Sequence, residues 1–337
     1  MLKRITQTIL LGLVFQTTAC STENAPEEAP APKTRGTEYL ALMPENTHVL
    51  FYANLEEMKK TPLGEDFRVE FEEKMKEEEE EDYFEFVEKT GVDLKKDVYE
   101  LWIGGIAQGG QEVNSGAIIN GRFDEKRIVD YLRTKEPHKI DETHYRDHTI
   151  YILEEKDKQM TFLTSGMIVI GNRQWIAAII DQAEDGGKNV LDNPAMQDYI
   201  QQVPHKEHFW GVMNLSEMSD AWARELRRKS AFTGTKSIEN MKSLVFCTHF
   251  DRKTDVFLKG NFTAHEEAKA VAEMVNGFKA LAKLMVADDR EAVDMISDIT
   301  IKSEGAIVEI TSTLDESFWN KFKEKRKRLS GAPVKLL

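Results

Sequence analysis

Cysteine is nearly absent from this chain: 337 residues carry two, Cys20 and Cys247. Two cysteines allow at most one intramolecular disulfide, which excludes a disulfide-stapled scaffold. Basic charge is short as well. Forty-five Lys and Arg stand against 59 Asp and Glu, a net charge of −14. The body as a whole is therefore repelled by nucleic acid and by anionic lipid. Catalytic signatures are missing too. There is no G-x-S-x-G and no H-E-x-x-H. "WIGGIAQGG" has glycines, but it leads into another strand and not into a helix N-terminus that could hold a phosphate. No cofactor is expected, and the chain does not read as an enzyme.

What is present begins at the N-terminus. "MLKRITQTILLGLVFQTTAC" has Lys3 and Arg4, an apolar run from Ile9 to Phe15, and small residues before Cys20. Residues 1–19 read as a secretory signal whose apolar part is too short to stay in a bilayer as a spanning helix. Thr17-Thr18-Ala19-Cys20 resembles the bacterial lipobox, departing from it at Thr17, where Leu is usual. The resemblance implies acyl chains on Cys20; ordinary secretory cleavage with a free Cys20 is the alternative. Two or three acyl chains anchor stably where one does not. Ser21, not Asp, follows the cysteine. By resemblance to lipoprotein sorting in two-membrane bacteria, that favours the outer membrane, facing the periplasm. Loss of Lys3 and Arg4 with the signal takes the net charge from −14 to −16. With Cys20 acylated no disulfide forms, and Cys247 in "SLVFCTHF" reads as a small buried hydrophobe on a strand.

Residues 20–37 hold "STENAPEEAPAPKTRG", rich in Pro, Ala and Glu and without an apolar period. Such a segment cannot bury enough surface to offset its ordering entropy, so a disordered or polyproline-like tether is expected. Its sixteen residues, at about 3.1 Å each, reach roughly 50 Å when extended.

The body repeats a phrase. "MPENTHVLFYANLEEM" from Met43 is echoed by "VPHKEHFWGVMNLSEM" from Val203. At an offset of 160, Tyr39, Pro44, His48, Asn54, Leu55, Glu57 and Met58 match Tyr199, Pro204, His208, Asn214, Leu215, Glu217 and Met218. Collinear matches follow at falling offsets. Thr90-Gly91 and Leu101 meet Thr233-Gly234 and Leu244, Gly121-x-Phe123 meets Gly260-x-Phe262, and Gly166 meets Gly305. One order with a falling offset predicts a tandem duplication with two deletions in the second copy. The expected modules are 38–186 and 187–329, followed by a tail at 330–337.

Each copy reads alike. A short helix ends at Pro44 or Pro204, and a strand follows, rich in aromatic and β-branched residues. Asn54 or Asn214 then opens a helix through an Asn-x-x-Glu start. A helical stripe of Phe67, Phe71 and Met75 comes next in the first copy. Hairpins are expected from "DVYELWIGGIA" with "SGAIINGRF" and from "SLVFCTHF" with "DVFLKGNF". Each runs into a helix, "DEKRIVDYLRT" or "AHEEAKAVAEMVNGFKALAKLM". Further strands are "HTIYILEE", "QMTFLTS", "MIVIGN", "ISDITIKS" and "AIVEITS". Closing helices are "RQWIAAIIDQAE" and "LDESFWNKFKEKRKR". The expected fold class is α+β, a duplicated module with an antiparallel sheet and helices layered on one face. Whether the two sheets join is left open.

These segments, with "KTGVDLKKDVYELWIGG" and "DNPAMQDYIQQVP" opening the second copy, resemble a family of bacterial envelope proteins and lipoproteins built on a domain of unknown function. The resemblance covers roughly residues 39–314. It implies a duplicated module and no catalytic residues.

Two clusters carry chemistry. "HKIDETHYRDH" offers His138, His144 and His148 as weak candidates for a metal, against an exposed polar loop. Glu77, Glu78, Glu79, Glu80, Glu81 and Asp82 form an acid run: a solvated helix end, a partner surface for a basic protein, or a weak calcium site. A basic tail, Lys321 to Arg328, suits a helix C-terminus, with a membrane-facing role as the alternative. The expected function is a non-catalytic, membrane-anchored envelope lipoprotein that binds or scaffolds other envelope components. The alternative is a periplasmic carrier holding a lipid or other amphiphile between sheet and helices. Trp102, Trp210, Phe246 and the helix "MVNGFKALAKLM" are then the groove lining, or else a packed core. Expected partners are the membrane, through Cys20, and an envelope protein or amphiphile, but no nucleic acid.

Overall fold

Strands form where aromatic and β-branched residues concentrate, and helices where apolar residues recur every three or four positions. The computed structural model describes residues 37–62, 64, 80–107, 113–135, 140–153, 158–204, 208–216 and 240–315. The strands are β1 Val49–Asn54, β2 Val98–Ala107, β3 Val113–Gly121, β4 Asp141–Tyr145, β5 His148–Ile152, β6 Gln159–Thr164, β7 Met167–Gly171, β8 Phe209–Asn214, β9 Met241–Phe250, β10 Thr254–Phe262, β11 Thr300–Glu304 and β12 Ile307–Leu314. The helices are α1 Thr37–Leu40, α2 Leu55–Met58, α3 Glu80–Thr90, α4 Leu94–Asp97, α5 Glu125–Lys135, α6 Arg173–Asp185, α7 Pro194–Gln201, α8 His265–Met285 and α9 Arg290–Asp298.

Among the described residues, the twelve strands form one antiparallel sheet in the order β11-β12-β10-β9-β8-β1-β2-β3-β7-β6-β5-β4. The sheets of the two expected modules are thus continuous, joined where β1 pairs with β8. At that seam Phe51 faces Gly211, flanked by Val49 opposite Met213 and Ala53 opposite Phe209. Positions 51 and 211 are 160 apart, the spacing of the repeated phrase. Matched residues therefore take reciprocal places. The Asn54 N–H donates to the His208 carbonyl at 2.6 Å, and the Asn214 N–H to the His48 carbonyl at 2.7 Å.

Both arms leave the seam by the same route. A hairpin comes first, β2–β3 or β9–β10. A helix then crosses, α5 or α8–α9. The chain returns so that β7 lies beside β3 and β12 beside β10. The Gly-x-Phe turns fold the ring back over the glycine. A Cβ on Gly121 would lie 2.6 Å from the Phe123 ring, and one on Gly260 would lie 3.1 Å from the Phe262 ring. The strand-to-helix corner forms in the first arm: Asn54 Oδ1 accepts the Glu57 N–H at 2.9 Å and caps α2. At the end of β8, the N–H groups of Leu215 and Ser216 both donate to the Lys242 carbonyl.

Helices cover both faces of the sheet, not one as the sequence suggests. Ile118, Ile150 and Val169 pack with Trp175, Ile176, Ile179 and Ile180 of α6. Their chain neighbours Ile119, Tyr151 and Ile168 point the other way, to Ile128, Val129, Tyr131 and Leu132 of α5. Alternate residues of a strand point to opposite faces, so α5 and α6 sandwich the sheet. Near-continuous apolar runs such as "MIVIG" in β7 suit this two-sided cover. Helix α8 lies on the α5 side. Phe257, paired with Thr311, joins the α6 cluster, whereas Ile310, next to Thr311, packs with α8.

The core is densest near the seam. Tyr52 packs between Trp102 and Trp210, tilted to both rings, at ring distances of 4.4 and 5.8 Å. Gly104, Gly116 and Gly171 stand side by side on β2, β3 and β7. The Trp175 indole lies across this row, and a Cβ on Gly171 would come within 2.7 Å of it. Cys247 is buried in the same cluster as a small hydrophobe.

Two elements depart from the sequence expectation. "DETHY" is a strand, β4, though exposed and polar. "ISDITIKS" is split, with α9 ending at Asp298 and β11 starting at Thr300. The signal, Cys20, the tether, the Phe67–Phe71–Met75 stripe, the second closing helix and the basic tail lie outside the described residues.

Candidate functional site

The histidine cluster does not converge. His138 lies outside the described residues. Arg146 and Asp147 make a two-residue turn between β4 and β5, which pairs Tyr145 with His148 and His144 with Thr149. Opposed residues share a face, so His148 shares the side of Tyr145 while His144 points away. Spacing of four puts two residues on one face only within an unbroken strand, and the turn breaks it. Among the described residues, no group of three or more His, Cys, Asp and Glu is placed to hold a metal.

The hairpin instead docks on α6. Arg146, at φ 49°, reaches Asp181 at 2.7 Å, Glu184 at 3.0 Å and Asp185 at 2.5 Å. Tyr145 donates to Asp181 at 3.0 Å, and His148 Nε2 lies 3.1 Å from Glu184. The Arg146 guanidinium holds the Asp185 carboxyl below its ordinary range. Of the acid run, Glu77, Glu78 and Glu79 lie outside the described residues. Glu80, Glu81 and Asp82 are the first residues of α3.

An open cleft of about 630 Å³ runs along α5, lined by Glu125, Lys126, Asp130, Arg133, Tyr151 and Ser165 among others. Its charges are used within the protein. Lys126 pairs with Asp130, Arg133 with Glu142, and Tyr151 donates to Glu125 at 2.8 Å. Burial, then the hydrogen bond to Glu125, pushes the Tyr151 phenol up, so it remains protonated at neutral pH.

Buried polar groups elsewhere hold corners together. Glu100 accepts from Tyr52 at 2.8 Å and from Asn120 at 3.1 Å. Asp93 caps α4 by accepting the Lys95 N–H at 3.0 Å, accepts from the Tyr83 hydroxyl at 2.7 Å, and pairs with Lys96 at 2.8 Å. Burial pushes the Asp93 carboxyl up, but the bonds from Lys96 and Tyr83 outweigh it and hold it below its ordinary value. Asp97, buried next to it, accepts the Asp93 N–H at 2.8 Å and pairs with Arg122 at 2.7 Å.

The surface that stands out is the end of α8. Its first half buries Ala268, Val271 and Ala272. Beyond that, Phe278, Leu281, Leu284 and Met285 are exposed, Leu284 by 74% and Met285 by 78%. Spacing of three and seven puts Phe278, Leu281 and Met285 on one helix face. Lys279 points elsewhere, donating to the carbonyls of Ser297, at 2.8 Å, and Ile299, which ties α9 to α8. Burial, then the charge of Lys283, lowers its ammonium pKa. Apolar periodicity in the sequence does not separate this surface from core.

No protein-family model and no curated protein matches this chain. Among solved structures it is similar to crystal form I of TP0453, with a TM-score of 0.43 and 8% identity over 85% of this chain and 96% of that one. A likeness at that level carries no argument about function.

Proposed function

We propose that this chain is a non-catalytic bacterial envelope lipoprotein, of the resembled envelope family, anchored through acyl chains on Cys20 at the outer membrane and facing the periplasm. Its body is a duplicated module that binds or scaffolds other envelope components through its surface. The observation that carries the duplication is the seam. Residues matched at offset 160 meet about a local twofold centre at Phe51 and Gly211. Self-complementary pairing of equivalent segments is what two copies of one unit make when they associate through the same edge.

The interior favours scaffolding over carriage. Trp102 and Trp210 are 2% exposed and Phe246 is 7% exposed. They pack against neighbouring aromatics, tilted or edge-on. Surface is then what remains for recognition. Mass spectrometry of the native N-terminus tests the anchor. Cys20 is expected to be terminal and acylated, and Cys20→Ser is expected to move the protein from the membrane fraction to the soluble one. An unmodified Cys20 at the mature terminus overturns the anchor.

A further inference from the structure

We propose that the stacked rings of His208 and His249 make one end of the β1–β8 seam sensitive to acid: with His208 neutral that end is closed, and a proton on its Nδ1 opens it. The proposal goes beyond the scaffolding reading and does not depend on the anchor. The Phe250 N–H donates to His208 Nδ1 at 2.8 Å, a buried bond that joins the start of β8 to the end of β9. A backbone amide only donates, so Nδ1 keeps its lone pair and the one ring proton sits on Nε2. Imidazolium carries a proton on both nitrogens. Two donors would then face each other on a side chain that is 8% exposed, so the bond must break for His208 to charge.

The place of His208 gives this bond its reach. Phe209 lies opposite both Ala53 and Thr248. His208, one step earlier, therefore comes level with Asn54 on one side and His249 on the other. Its ring stacks on His249 at 4.7 Å, with 24° between the planes. Its carbonyl accepts the Asn54 N–H, and Asn54 caps α2. Hydrogen bonds thus run from β9 through β8 to β1 and α2, across both arms. At the matched end of the seam Val49 lies opposite Gly105, which brings His48 level with Ile106. An aliphatic side chain stands there in the place of His249. The surrounding charges set the order of protonation. His249 lies opposite Asp255 of β10, which accepts the Thr313 hydroxyl at 2.7 Å. Asn54 lies opposite Glu100 of β2, which accepts from Tyr52 and Asn120. Glu57 of α2 pairs with Lys60 at 2.8 Å, and the turn after β9 exposes Asp251, Arg252 and Lys253. Asp255 favours a first proton on His249. A second, on His208, meets a like charge across the stack as well as the Phe250 N–H.

The test is hydrogen exchange of the full mature chain, with Cys20→Ser, at pH values from about 7.5 to about 5.5, each rate corrected for the intrinsic effect of pH. A histidine released by opening takes up its proton at about pH 6.5. Protection of the Phe250 and Asn54 amides is therefore expected to fall by about tenfold over that range, while protection of α6 from Trp175 to Ile180 holds. His208→Asn keeps an acceptor near the place of Nδ1 but takes up no proton, and is expected to flatten the response. His144→Gln, on the exposed strand β4, should leave the response as in wild type. Ring nitrogen shifts of the unmutated histidines give a second measurement: His208 is expected to be neutral and protonated at Nε2 at neutral pH. Phe250 protection that ignores pH, a fall at Phe250 without one at Asn54, an equal fall in α6, an unchanged acid response in His208→Asn, or a proton on Nδ1 at neutral pH each overturns the proposal.

Discussion

Helices α5 and α8 leave their hairpins by the same Gly-x-Phe turn and cross the same face of one sheet, yet α5 has 11 residues and α8 has 21. At about 1.5 Å per residue, the difference adds about 15 Å of helix. Helix α5 buries Ile128, Val129, Tyr131 and Leu132 along its length. Helix α8 buries three small or branched residues in its first half and none afterwards. About eleven residues therefore suffice to cover an arm of the sheet. Beyond Met274 and Val275, which pack at the edge of the sheet cluster, the apolar side chains Phe278, Leu281, Leu284 and Met285 are exposed.

The largest effect expected from this contrast is in the first arm. A Cβ on Gly116 would overlap both the Trp175 indole and the Ile170 carbonyl. Backbone cannot yield as a flexible side chain does, so Gly116→Val is expected to cost more than about 4 kcal/mol and to abolish cooperative unfolding. A soluble variant with a near wild-type melting temperature would show that the glycine row is not what seats Trp175.

A smaller effect is expected at the α3–α4 corner, where Asp93 has no counterpart among the described residues of the second arm. Its carboxyl is held below its unfolded value, so its contribution is complete above about pH 3.9 and is lost as pH falls through the lower folded value. Asp93→Asn, which keeps a capping side chain, is expected to cost about 1 kcal/mol at neutral pH. In strong acid the gap to wild type should close, as read from urea unfolding at several pH values. A gap that persists in acid would assign the role of Asp93 to its shape and not its charge.

The smallest effect has the opposite sign. Nothing lies within 4 Å of a Cβ built on Gly277, midway along α8. Gly277→Ala is expected to stabilise the protein by about 0.5–1 kcal/mol through helix propensity and reduced unfolded-state entropy. Circular dichroism melts decide it. Destabilisation would mean that this part of α8 is more closely packed than its exposure indicates, and would weaken the contrast with α5.

Much of the fold was legible in short segments. The Asn54 cap, the Gly-x-Phe turns and most strand positions depend on neighbours within a few residues and appear where their local patterns placed them. The repeated phrase carried more, because its offset is also the offset of the β1–β8 seam. Other features were illegible for physical reasons. "DETHY" lacks an apolar face because β4 is an edge strand with little to bury. His144 and His148 part company because a two-residue turn reverses the chain between them. The exposed end of α8 shows the same helical period as a buried helix. Periodicity reports which residues share a face but not whether anything covers it.

By itself, the sequence determined the order of strands, caps and turns, and it set the expectations of a doubled unit and of an address at Cys20. These are local or compositional matters, set by backbone sterics, side-chain hydrogen bonding and apolar period. Only the tertiary structure decided that the strands join in one twelve-stranded sheet, that helices cover both faces, and that α8 outruns its arm. The join depends on contacts between residues about 160 positions apart, the cover on packing between segments separate in sequence, and a strand's own residues do not specify which edge it will pair with.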